Sequence, residues 1–142
     1  MNPQAWWGVA LSVVLAAGAG GHDAGADPPA AMERYSLVLL RRPANGGPKV
    51  ADLEALQRQH LGHLQAMARA GKMVVAGPFA DQADPRMRGM CLYRVSLEEA
   101  RRLAQEDPMV KAGRLEVEVL TWWVEQGAMT FPVAEAMATG KP

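Results

Sequence analysis

The chain has 142 residues, enough for one domain with one hydrophobic core and too few for two ordinary ones. Its 15 basic and 15 acidic residues cancel, so it offers no strong positive field to a phosphate backbone, and nucleic acid is not an expected partner. The single cysteine, Cys91, excludes an intramolecular disulfide and leaves stability to the core or to a partner subunit.

Residues 1–26, "MNPQAWWGVALSVVLAAGAGGHDAGA", hold an uncharged apolar run from Trp6 to about Gly20, followed by small residues in A-x-A-like order. This predicts a secretory signal and export to the periplasm or medium. Ala17-Gly18-Ala19 and Ala24-Gly25-Ala26 are both cleavage triplets, and the second is favoured. The run falls short of a full span of about 20 residues, so no stable membrane insertion is expected after cleavage. The lack of Lys or Arg before the run makes an uncleaved, membrane-anchoring segment the alternative. Residues 27–33 then read as a spacer, 34–125 as the folded domain and 126–142 as a tail without strong pattern.

"RYSLVLLRR" is short and rich in branched and aromatic residues, and predicts the first strand, which the Pro/Gly-rich "PANGGPK" ends. The Gly46-Gly47 pair within it reads as ordinary loop chemistry. From about Val50 to Ala70 the apolar residues repeat with helical period, with Gly71 as the stop. "KMVVAGP" predicts a second strand, and "MCLYRV" a third in which Cys91 is a small buried hydrophobe rather than a nucleophile. "SLEEARRLAQED" predicts a helix whose Ser96 and Glu99 have capping-box spacing, ended at Asp107-Pro108. "RLEVEVLTWWV" alternates as a fourth strand, on which Trp122 and Trp123 point to opposite faces. The order β-α-β-β-α-β predicts an α+β, ferredoxin-like fold with helices on one face of an antiparallel sheet. The other face needs cover, and a second copy supplies it in a homodimer.

The stretch "QRQHLGHLQAM" is the chemical anomaly. A wheel of about 100° per residue puts Leu53, Leu56, Leu64 and Met67 on one stripe, with His60 at its middle and His63 at its margin. A histidine on a buried face needs a partner for a ring nitrogen, and that partner is often structural. Two histidines three apart do not complete a zinc site, and neither a G-x-S-x-G nucleophile motif nor a phosphate loop occurs, so no metal and no cofactor are expected. What remains is a general acid or base oriented by a carboxylate. Asp107 is the candidate, although Asp-Pro also suits a helix N-cap with proline at the first position. Asp81 and Asp84 are alternatives. Lys72, Arg86 and Arg88 read as solvated surface charge, with gating of the pocket by positive charge as the alternative.

The pieces "QRQHLGHLQAMARAGKMVVAGP", "RGMCLYRVSLEEARRLAQEDPMVKAG" and "EVEVLTWW" together resemble the YciI-like, or YCII-related, family over roughly Tyr35 to Trp123. The resemblance implies a ferredoxin-like fold, a dimeric α+β barrel, and a cleft with a His-Asp dyad matching His60 and Asp107. Arg58, His63, Met109 and Trp122 are the candidate substrate-binding residues around it. Two positions depart from the family pattern: Gln57 replaces an arginine often found three residues before the histidine, and Met109 replaces an aromatic after "DP". The resemblance further implies cofactor-free proton chemistry on a small organic molecule, as in relatives that eliminate HCl from chlorinated hydroxyquinols or isomerise a lactone. A non-catalytic ligand-binding or interaction module of the same fold is the alternative.

Overall fold

A computed structural model describes residues 29–130; the segment expected to be a signal and most of the tail lie outside the described residues. The element order is β1 (Met32–Arg41), α1 (Leu53–Arg69), β2 (Met73–Pro78), β3 (Met87–Tyr93), α2 (Leu97–Gln105), α3 (Pro108–Lys111) and β4 (Glu116–Glu125). The strands form one antiparallel sheet in the order β2-β3-β1-β4, the ferredoxin-like arrangement, with the two halves of the chain interleaved through the central pair β3 and β1.

Local chemistry sets the ends of the helices. Asp52 caps α1 by accepting from the Ala55 N–H at 2.8 Å, and Gly71 follows the last turn at a φ of 69°, a left-handed conformation that costs glycine little. Ser96 caps α2 by accepting from the Glu99 N–H at 3.2 Å. Only half of the expected capping box forms, because the Glu99 carboxylate meets Lys72 Nζ at 2.7 Å, a charged donor that ties the start of β2 to α2. Asp107 caps the single turn of α3, with Pro108 at its first position.

The helix-facing side of the sheet presents Val38, Leu40, Cys91 and Tyr93, which close with Met73 and with Ala100, Leu103 and Ala104 of α2 into one buried core. Val117 and Val119 of β4 pack beside it, the inward half of the alternation seen in the sequence. The zero exposure of Ala100 marks where α2 sits closest to the sheet.

Two close approaches define the end of the sheet near α1. A Cβ on Gly89 would stand 2.5 Å from the Gly77 carbonyl oxygen and 3.1 Å from Pro78 Cα, so β2 and β3 can pair here only around a glycine. Gly89→Ala is expected to lower stability by about 1–3 kcal/mol, measured by urea unfolding, because backbone rather than a flexible side chain must move. Gly47 is equally constrained: its φ is +71° and its Cβ would meet the Gly113 carbonyl at 2.5 Å. The loop after β1 is therefore docked against the turn after α3 rather than being a free connection. Arg114 Nη1 fastens it further by donating to the Gly46 and Pro48 carbonyls, each at 3.0 Å.

Candidate functional site

The apolar stripe of α1 does not lie flat on the sheet. His60 is the one buried residue of that helix, while Leu53 and Leu61 are 46% and 47% exposed. The reason is a cavity of about 370 Å³ between α1, the turn after α3 and the ends of β1, β2 and β3. Leu53, Gln57, His60, Leu61 and Leu64 share one helix face and form one wall of it. Its size falls at the lower end of the roughly 300–1,000 Å³ usual for small-molecule sites.

His60 is 7% exposed and Asp107 3%. Nδ1 of His60 and Oδ2 of Asp107 are 2.6 Å apart, across the gap between α1 and the N-terminus of α3. The other carboxylate oxygen, Oδ1, accepts from the Met109 N–H at 2.8 Å. One side chain thus serves both readings given to it from sequence: it caps α3 and it meets the histidine. With an ionised carboxylate on Nδ1, that nitrogen is the donor and carries the proton, which leaves the lone pair on Nε2. His60 lines the cavity, so the arrangement suits a base toward a bound molecule.

The carboxylate also acts on its neighbours. Burial pushes the Cys91 thiol from 9.0 to about 12, and the negative charge of Asp107 adds to the effect. Tyr93 is raised in the same direction, by burial first and then by the charges of Cys91 and Asp107. Cys91 lines the cavity yet holds its proton at neutral pH, which removes it as a thiolate nucleophile. The unfolded chain releases both protons at lower pH than the native chain, so the folded state binds more protons and stability falls as pH rises from about 9 to about 12. Urea midpoints across that range should decline, and Cys91→Ala should make the decline shallower.

Of the other residues read as substrate-binding, Met109 lines the cavity and is buried, supplying a deformable thioether wall. Gln57 lines it as well, whereas Arg58, one position further round the helix, points to solvent and stands 3.8 Å from Glu54. His63 sits outside the lining: its Nε2 donates to the Leu103 carbonyl at 3.1 Å, bracing α1 against α2. Trp122 is also elsewhere, 42% exposed on the sheet face turned away from the helices, where strand alternation puts it opposite Trp123. Asp81 and Asp84 are exposed loop residues; Asp84 accepts from the Arg86 N–H at 2.8 Å. Among the described residues no three His, Cys, Asp or Glu side chains gather as a metal-binding group.

Sequence reasoning missed Arg42 and Arg114; Arg88, read as surface charge with a place at the pocket's mouth as the alternative, is exposed and lines the cavity with them. A bulge accounts for Arg88: Leu40 pairs with Gly89 and Arg41 with Met87, so Arg88 is the extra residue of β3. Bulges bend a strand and re-aim a side chain beside functional sites. Lys72 and Arg86 have acidic partners instead, Glu99 and Glu116.

Fold and site together define a small α+β domain that holds a buried His–carboxylate pair on the wall of a ligand-sized cavity. The chain belongs to the YCII-related domain family, which it matches over residues 36–123. Among solved structures it is similar to 5-chloro-2-hydroxyhydroquinone dehydrochlorinase from Burkholderia phenoliruptrix AC1100, in complex with 2,5-dihydroxybenzoquinone. The two are 23% identical with a TM-score of 0.40, over 62% of this chain and 92% of that one. No curated protein matches the chain.

Proposed function

We propose that this protein is a cofactor-independent acid–base enzyme, of lyase, dehydrochlorinase or isomerase type, acting on a small organic molecule. His60 transfers the proton, and Asp107 holds its tautomer and balances the imidazolium that forms. The observation that carries this reading is the 2.6 Å contact between two buried side chains, one of which lines the cavity. A proton abstracted from a carbon next to a carbonyl passes to Nε2; the electron pair then either expels a leaving group, with the histidine's proton going to solvent, or shifts a double bond, with the histidine returning the proton to another carbon of the substrate. The test is a substrate screen with chlorinated hydroquinones and unsaturated lactones, read by chloride release and by exchange of substrate hydrogen for solvent deuterium. Turnover that survives intact in both His60→Ala and Asp107→Asn would sink the assignment.

The cap supplied by Asp107 Oδ1 supports a second reading, a non-catalytic binding module in which the pair is structural. In that case ligands bind, and no variant at position 60 or 107 changes a rate.

Two further elements belong to the proposal. The protein acts as a homodimer, supported by exposed Val75, Leu120 and Trp122 on the sheet face away from the helices. It is exported, supported by the apolar run and small residues of positions 1–26. Recovery of the chain from the cytosol with Met1 intact would overturn export.

A further inference from the structure

Asp107 stands behind His60, and among the described residues the charge on the cavity's own lining is one-sided. Apart from His60, the charged residues lining it are Arg42, Arg88 and Arg114, and no aspartate or glutamate is among them. The adjacent cations are neutralised: Arg41 meets Glu118 at 2.8 Å and Arg86 meets Glu116 at 3.2 Å. Arg42 and Arg88 have no acidic partner among the described residues. Arg114 is held by two carbonyls, neutral acceptors that fix its guanidinium without cancelling its charge. The backbone brings the three together. Arg42 leaves β1 with its N–H on the Arg86 carbonyl at 2.7 Å, Arg88 is the bulged residue of β3, and Arg114 leads into β4 from the turn that grips the loop after β1.

Three arginines line one cavity, Arg42 and Arg88 of them solvent-exposed, and without an acidic partner they give it a positive field that acts on whatever enters. An anion answers that field, and the planar guanidinium fork matches a carboxylate in two parallel hydrogen bonds. The rest of the wall is largely aliphatic, including Leu40, Leu61, Leu64 and Leu115, so it rewards a carbon skeleton that an inorganic ion lacks. We infer that the cavity takes a small organic carboxylate, its anionic end held by Arg42, Arg88 and Arg114 and its carbon frame lying against the leucines beside His60. This rests on the reading of the cavity as a small-molecule site, and it does not depend on proton transfer by His60.

The experiment is a titration of the full chain, followed by its amide NMR spectrum, with benzoate, phenylacetate and cyclohexanecarboxylate, each beside its primary amide. At least one acid should shift resonances of cavity residues and bind about tenfold or more tightly than its amide. That preference should shrink with added salt and vanish in the Arg42→Gln/Arg88→Gln double variant. It should persist in His60→Gln, which separates this inference from the catalytic one: turnover lost with preference kept leaves both standing, and preference kept without any turnover in the parent leaves this one alone. Equal binding of acid and amide in every pair, absence of binding at millimolar acid, or a preference that survives the double arginine variant each overturns it. Inorganic phosphate shifting the same resonances as strongly as the best acid also overturns it.

Discussion

Replacing Asp107 by asparagine is expected to leave the fold standing and to lower turnover by a factor of about 10²–10⁴, the range associated with a positioned acid or base. Asparagine is as good an N-cap as aspartate, so the bond from the Met109 N–H survives and stability should change by less than about 1 kcal/mol. What changes is the partner of His60. An amide that donates its N–H to Nδ1 selects the opposite tautomer, in which Nε2 carries the proton and no longer offers a lone pair to the cavity. The tautomer is readable without any substrate: nitrogen-15 shifts of His60 should show a protonated Nδ1 in the parent and a protonated Nε2 in the variant. Asp107→Ala separates the two duties from the other side. It removes the cap and leaves a buried ring nitrogen unpaired, and should cost about 2–4 kcal/mol in urea unfolding. A parent His60 already protonated on Nε2, or an asparagine variant with full turnover, would reduce Asp107 to a helix cap.

The second large effect concerns the sheet face away from the helices. Leu120 and Trp122 are 40% and 42% exposed on β4, and Val75 is 45% exposed on β2, at the opposite edge of the same sheet. Leu37 and Leu39 lie half-buried between them. In the proposed homodimer a two-fold axis through this face sets each patch against its own copy, and buried tryptophans at the centre of such contacts carry much of the affinity. Leu120→Glu/Trp122→Glu puts like charges on both copies and should weaken the dimer by more than about 100-fold, seen as a halved mass in sedimentation. Because both positions are exposed within one chain, helix content and the unfolding midpoint of the isolated monomer should change little. A parent that sediments as a monomer at micromolar concentration would remove the dimer from the proposal.

The elements could be read from sequence because each carries a local signal that agrees with the packing: the branched run of β1, the Ser96 cap, the Asp107-Pro108 start of α3, the alternation of β4. His60 stood out for the same reason, as a polar residue in an apolar stripe. The arginines did not, because their role is set by register. Nothing local to "PRMRGM" announces that one strand carries an extra residue opposite β1, and nothing in "KAGRLE" announces that Arg114 reaches carbonyls 66 and 68 positions away. Arg58 shows the converse, a charge beside a promising motif that the helical repeat turns to solvent. The helical period of α1 points His60 inward, but the sequence does not tell a wall that packs from a wall that encloses space, which is why Leu53 of the same stripe stays exposed.

That last distinction bears on how the ligand can be found. A helix with a single buried residue contributes less cohesion than its leucines allow, and those leucines face a space that a carbon skeleton can fill. The right molecule therefore completes the core as well as occupying the site, and its binding to the folded chain raises the melting temperature. A thermal-shift survey of small organic acids should rank candidates by how well they finish the fold, before any reaction has been observed.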